Sequence, residues 1–472
     1  MIIQKHRTKI IWSLNSRDLS ETLAKELSEK EDIGALRINY HPKDLENILS
    51  FIPLVHEFRG PSQEKIPVMI DVGSIPRGRL SMNEPKDLIY GEELSCSKPG
   101  KGGDIEINTE EWDSLFAPDQ QVFLGFGSAI LRTLRTEGDL VVHKVIHGGT
   151  LSDGMEVFVP STRKIPSVLD LSYIDIKPFI KLGIDYVLLP GVTSAREISV
   201  VRKKLSGGNT PAPWLIVRVD SQDICEKLGD LITEADGVLI SRRELSLTTD
   251  PAAVPMVCKE VIRTCNENAK LVFIASDTLA SMQVNPTPTR AEVSDIANAV
   301  IDGTDAVVIS EEVVSGEFRD RAISVCDKII EDVEEHASVE VNWKKEALAI
   351  NNEFDAVAYH AYKTAERVRA KAIVCITKEG NTALRLASFR TQLPVIAVTF
   401  SEQIRRRLTL VRGVHALALD VNPNLDEVLP LVNDHLKKES WLNKGDLIVF
   451  VTVSLSPMAH DASNLFTIQK LD

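Results

Sequence analysis

Eight short apolar runs, each followed by a stretch of helical periodicity, constrain this chain more than any other feature. They occupy residues 9–14, 35–40, 67–72, 186–191, 215–220, 237–241, 271–276 and 306–310. Strands that are apolar throughout, without alternating polar positions, are buried on both faces and belong to a parallel sheet. Eight such strand–helix units predict an α/β fold centred on a (β/α)8 TIM barrel, which carries its chemistry at the C-terminal ends of its strands. Polar residues fall at those ends: Arg37, Asn39, Asp71, Arg218, Asp220, Glu244 and Ser276. Strand ends that simply meet water would account for a few of them. Seven together predict a functional mouth.

The alternation is interrupted between the third and fourth runs. Residues 76–160 carry short β-like segments (QVFLGF, LVVHKVI) and turn pairs such as Gly148-Gly149, which suggests a small inserted β-barrel domain placed as a lid. The barrel then comprises residues 1–75 and 161–338. From 339 to 472 a second strand–helix alternation predicts a C-terminal α/β domain with parallel or mixed pairing. A chain of 472 residues exceeds one ordinary core, in keeping with several domains.

Charge and composition exclude several classes. The net charge of −14 argues against a nucleic-acid partner, which needs basic stripes. No apolar run reaches the roughly 18–20 residues that span a bilayer, and the N-terminus lacks the pattern of a signal peptide. Six cysteines without CxxC spacing suggest reduced core thiols and a cytoplasmic protein. The basic cluster Arg405–Arg407 is expected to be a solvated helix face. No histidines pair at i,i+4 as a metal site would need, Ser128 in GFGSAI is not a hydrolase elbow, and Gly100 to Gly103 reads as a loop.

The segment 285–310, NPTPTRAEVSDIANAVIDGTDAVVIS, names a family. It places Thr289, Arg290 and Glu292 at a helix start, where free N–H groups favour anions. It resembles the end of the catalytic barrel of pyruvate kinase, residue type by residue type. Weaker similarity runs over 377–390 (TKEGNTALRLASFR), Gly413 and 444–450 (KGDLIVF), and covers nearly the whole chain. Barrel, inserted β-domain and C-terminal α/β domain is also that family's plan. The resemblance implies phosphoenolpyruvate and a divalent metal (Mg2+ or Mn2+) at the barrel mouth, with phosphoryl transfer to ADP beneath the lid. It also implies assembly as a homo-oligomer, dimer or tetramer, in which 403–410 could serve.

The resemblance assigns roles and exposes departures. Arg37, Asn39 and Asp71 are retained. The family's Lys-x-Glu becomes Arg218 and Asp220, and its Ala-Arg-Gly-Asp turn becomes Ser241-Arg242-Arg243-Glu244. The two metal ligands are then Asp220 and Glu244, with their lengths exchanged; a preserved pair of oxygen ligands and drift of a disused site both explain the exchange. Arg218 stands where the catalytic lysine is expected, with the charge but not the compact ammonium. Arg243 puts a side chain where the family's glycine lets backbone N–H groups approach the substrate. Ser276 keeps the hydroxyl of the threonine that serves the enolate.

Hydroxyls of the family's potassium site are replaced by His41 and Val72, which argues against a K+ requirement. Nucleotide-facing segments read Gly125-Phe126-Gly127, Gly154-Met155, Glu156 to Pro160, Ser13 to Ser16 and Ser310 to Val313; their lost anion donors argue against efficient use of ADP. The loop with Thr377, Gly380, Asn381 and Thr382 resembles one that cradles an effector sugar phosphate; Glu379 opposes that, and a plain strand–helix turn is the simpler account. Three readings remain open: an impaired phosphoenolpyruvate/ADP phosphotransferase, a nucleotide-independent metal enzyme of keto acids or enolates, and a non-catalytic metabolite-binding partner of an active paralogue.

Overall fold

The computed structural model describes residues 7–30, 33–40, 44–59, 65–72, 78–109, 112–159, 177–206, 212–275, 278–336, 353–419, 425–438, 441–453 and 463–471. Eight parallel strands among them close a barrel: β1 (Lys9–Asn15), β2 (Ala35–Asn39), β3 (Val68–Asp71), β4 (Tyr186–Leu189), β5 (Trp214–Val219), β6 (Gly237–Ser241), β7 (Leu271–Ala275) and β8 (Ala306–Ile309). They coincide with the eight apolar runs to within about two residues. Every stave is almost wholly buried because helices cover its outer face and packed side chains fill the inside. Ile11, Leu188, Ile216 and Phe273 point into one cluster that continues into Ala361, Leu386 and Leu408 of the C-terminal domain. Barrel interior and C-terminal domain thus share a core.

Aspartates set the register at the closed end of the barrel. Asp185, Asp236 and Asp305 each stand immediately before a stave and accept a main-chain N–H from the start of its neighbour. The distances are 3.1 Å from Val68, 2.7 Å from Leu215 and 2.9 Å from Val272. A one-residue slip in any of these three pairs would remove its bond and leave a buried donor unpaired.

Two of these aspartates also hold the C-terminal domain. Arg390 reaches both oxygens of Asp305, at 3.0 and 3.1 Å, and the Arg412 N–H donates to the same carboxylate at 3.1 Å. Arg406 donates to Asp185 at 3.1 Å and to the Gly183 carbonyl at 2.9 Å. The 405–407 cluster is therefore not the solvated face its composition suggests. Arg405, Arg406 and Arg407 are at most 8 % exposed, and Arg407 lies over the Trp214 ring at 5.9 Å. The reason is that each finds a partner that offsets its desolvation: Arg406 the barrel-floor Asp185, Arg405 the neighbouring Glu402 at 2.8 Å, and Arg407 the Trp214 ring.

The C-terminal sheet has five strands in the order Val414–Ala418, Val395–Thr399, Ala372–Ile376, Leu447–Val453 and Ser463–Lys470, the last antiparallel. The inserted segment closes a second, seven-stranded barrel. Its Gly148-Gly149 pair is dictated by space: a Cβ at Gly149 would sit 1.9 Å from the Ser128 carbonyl oxygen, and one at Gly148 2.3 Å from that of Leu88. The six cysteines are free. Among the described residues no helix is long and apolar enough to cross a membrane.

His143, fully buried in the small barrel, sets a pH limit on that domain. Its Nδ1 pairs with the Thr133 hydroxyl at 3.2 Å, and burial pushes the imidazole down to about 4. The folded domain therefore holds the ring neutral, while the unfolded chain protonates it near the ordinary value of 6.5. Its contribution is complete above pH 6.5 and is lost as pH falls from there towards 4, a change of about 3 kcal/mol. Denaturant titrations should show this loss in the wild type and a flatter profile in a His143→Gln variant. Equal slopes in both would refute the assignment.

Candidate active site

The C-terminal ends of β2, β3 and β5 bring three of the expected residues into direct contact. Asp71 ends β3 and is fully buried. Its Oδ2 accepts from Arg37 Nε at 3.0 Å, from Arg37 Nη2 and from Arg218 Nη2. Parallel pairing makes this inevitable: Arg37 and Asn39 on β2 are in register with Met69 and Asp71 on β3. Arg37 Nη1 also donates to the Ser13 hydroxyl of β1 at 3.1 Å. Two guanidiniums thus converge on one carboxylate oxygen, an arrangement of charge-assisted hydrogen bonds.

Arg218 lies within the wall of the mouth, 7 % exposed. Burial works to lower its pKa, but the carboxylates of Asp71, Glu244 and Asp220 outweigh it and hold the guanidinium above its ordinary value. Glu244 and Asp220, the exchanged carboxylates, thus both act electrostatically on this one side chain. Glu244 arrives there because the helix Arg242–Thr248 starts directly at the end of β6, placing Glu244 in its first turn.

Among the described residues no three His, Cys, Asp or Glu side chains gather as a self-sufficient metal site. The chemistry of two carboxylates, Asp220 and Glu244, fits Mg2+, which binds through one or two carboxylates and takes its other oxygens from substrate and water.

The remaining expected residues have other surroundings. Asn39 donates its amide to Glu311, the first residue after Ser310 at the end of β8. Burial, then neighbouring Glu312, raises the Glu311 pKa. Arg243 acts electrostatically on the lid: burial raises the Glu156 pKa, and Arg79 and then Arg243 oppose the rise, with Arg79 pairing at 3.2 Å. The lid turn Gly125–Gly127 approaches the same helix, where a Cβ at Gly127 would lie 3.7 Å from Leu247. Ser276 and His41 lie outside the described residues.

Thr289 and Glu292 cap their helix reciprocally, with bonds of 2.7 and 3.3 Å, and Glu292 also accepts from Ser281. Their polar groups thus secure a helix end, and Arg290 is exposed. In the C-terminal loop, Thr377 accepts the Gly380 N–H at 3.0 Å. Gly380 has φ +99°, and a Cβ there would lie 3.1 Å from the Trp214 ring. Thr377 and Thr382 are buried while Asn381 is exposed.

Ser13, Glu156 and Glu311 take part in the mouth although the sequence marked them only as departures. Each lies at the end of a strand or on the lid edge that meets it. That position was the one available signal.

A closed eight-stranded barrel with a second barrel inserted after β3, and an arginine–aspartate–arginine cluster at its mouth, define a class of two-barrel α/β proteins. Residues 5–323 match the family model for the pyruvate kinase barrel domain, and 355–468 that for the pyruvate kinase alpha/beta domain. The chain belongs to the pyruvate kinase family. It is 27% identical over 476 residues to the pyruvate kinase of Clostridium perfringens, covering 98% of this chain and 100% of that one. To a pyruvate kinase of Agrobacterium vitis it is 31% identical over 374 residues, 77% of this chain and 73% of the relative. A crystal structure of a pyruvate kinase from Cryptosporidium parvum superposes with a TM-score of 0.82 at 23% identity, covering 100% of this chain and 97% of that one. That likeness supports the fold.

Proposed function

We propose that this chain binds phosphoenolpyruvate or a pyruvate-like acid at the barrel mouth with a divalent metal, and that its transfer of phosphoryl to ADP is slow or absent. The observation that carries this is the commitment of Arg218. At the position matching the family's catalytic lysine, it is buried in the wall and bound to Asp71. A cation that must follow a migrating phosphoryl group cannot also be the fixed partner of a buried carboxylate without weakening one role.

The residues divide the work as follows. Arg37, backed by Asp71, supplies a fixed positive charge for the substrate's anionic end. Asp220 and Glu244 would hold Mg2+ or Mn2+, and the bound ion would neutralise charge on carboxylate and enolate oxygens. Ser276 is assigned the hydroxyl on the protonation path. Arg243, whose charge acts on Glu156 of the lid, is assigned the place where phosphates would otherwise enter. This charge pattern favours a nucleotide-independent reaction of an enolate or keto acid as the second reading. Assembly as a dimer or tetramer belongs to the proposal, and a lone monomer in light scattering would remove that part.

The Arg218–Asp71–Arg37 cluster also replaces a monovalent cation: Asp71 already has two guanidiniums on one oxygen. Calorimetric titration of oxalate in the presence of Mg2+ should give binding, with the same affinity in K+ and in tetramethylammonium buffers. No heat with either Mg2+ or Mn2+ would defeat the proposed substrate seat. A tenfold or larger K+ effect, about 1.4 kcal/mol, would defeat the cation replacement alone.

A further inference from the structure

A cavity of about 220 Å³ lies beside the mouth, between the end of β1, the helix Glu21–Ser28 that follows it, and the turn after β8. It is one side-chain layer from the proposed substrate seat. Ser13 and Asn15, in its wall, are in register with Arg37 and Asn39, and Ser13 accepts the Arg37 bond already described. On the opposite wall, Ser315 closes the helix Glu311–Val314, whose Glu311 takes the Asn39 amide.

The lining selects a ligand chemistry. Asp18 and Glu26 bring two negative charges against the single positive charge of Arg319, which pairs with Glu26 at 2.8 Å. A nucleoside diphosphate, with about three negative charges, would add repulsion to that excess. Asn15 already uses its side-chain oxygen on the Arg17 N–H at 3.0 Å, so its amide nitrogen is the donor that remains. Ser20 Oγ accepts the Leu23 N–H at 3.2 Å and keeps its proton to donate. The lining therefore offers Asp18 as an acceptor and Asn15 and Ser20 as donors, while Glu26 and Arg319 hold each other. An ammonium ion offers donors alone and would leave Asn15 and Ser20 unused; hydroxyls both donate and accept. Leu14, Leu23 and Val314 add an apolar surface of the kind that the C–H face of a sugar ring covers. The volume falls below the roughly 300–1,000 Å³ of sites for larger ligands and suits a single ring.

We infer that this cavity is a binding site for a neutral, hydroxyl-rich ligand of monosaccharide size, in place of a nucleotide. The inference goes beyond the proposed function and does not depend on whether phosphotransfer is slow. Through Ser13, an occupant would touch the hydroxyl that accepts from Arg37.

Saturation-transfer NMR on the full chain, with D-ribose, D-glucose and ADP as separate probes, tests it. Transfer is expected from at least one sugar, undiminished by added ADP. Two exposed-site variants that spare the core should remove it: Asp18→Asn by about tenfold in affinity, the size of a lost charge-assisted hydrogen bond, and Thr22→Trp by filling the entrance. Absence of transfer from both sugars would overturn the inference, as would ADP displacing the sugar or variants that bind it as the wild type does. Oxalate titration is read separately, so failure of the sugar site and failure of the substrate seat cannot be confused.

Discussion

Replacing Arg218 by lysine together with Arg243 by glycine is expected to raise the rate of pyruvate formation from phosphoenolpyruvate and ADP by about a hundredfold, the scale of one well-placed charge at a phosphoryl-transfer centre. The first change frees the position from its fixed bond to Asp71 and supplies a compact ammonium that can follow the phosphoryl oxygens. The second removes the side chain whose charge acts on Glu156 and lets the backbone of the turn after β6 approach the anion. Each change alone should give much less, because a lysine behind a crowded turn and an open turn beside a locked arginine both leave transfer incomplete. Steady-state kinetics at saturating Mg2+ checks this. An unchanged rate in the double variant would mean that the missing lid groups, and not the mouth, limit the reaction.

The second large effect is on stability. Asp305→Ala should destabilise the fold by about 3–5 kcal/mol, the cost of leaving a buried charge without its partner. Arg390, 8 % exposed, would lose its two bonds to the carboxylate, and the Val272 and Arg412 N–H groups would lose their acceptor. Because Asp305 serves both barrel register and domain attachment, the transitions of barrel and C-terminal domain should shift together. Denaturant unfolding followed by Trp214 fluorescence and by circular dichroism measures both. A loss below about 1 kcal/mol, as for a surface ion pair, would show that the pair is solvent-screened.

The barrel was legible because its strands are buried on both faces, so runs such as AVVI at β8 are apolar without interruption and few other arrangements accept them. Arg37, Asp71 and Arg218 were legible as strand-end residues for the same geometric reason. Their mutual bonding was not, since it depends on which staves are neighbours and on a carboxylate oxygen shared between sequence positions 37, 71 and 218. The same limit misled the reading of Arg405–Arg407. An arginine-rich helix turn looks solvated until Asp185, more than 200 positions earlier, is found beneath it. Thr289 and Glu292 show the reverse case: a local pattern that could have met an anion closes on itself as a capping box. Asp185, Asp236 and Asp305 repeat one device, yet a single acid before an apolar run carries no mark of the neighbouring strand it will bond.

The proposed function is a mouth that keeps an acid and metal seat while phosphotransfer is weakened. Pyruvate release by the purified chain from phosphoenolpyruvate with Mg2+, measured with and without ADP, tests it most directly. The account predicts oxalate binding with little or no ADP-dependent release. Rapid release that requires ADP would contradict it, and would show that Arg218 performs the lysine's role despite its bond to Asp71.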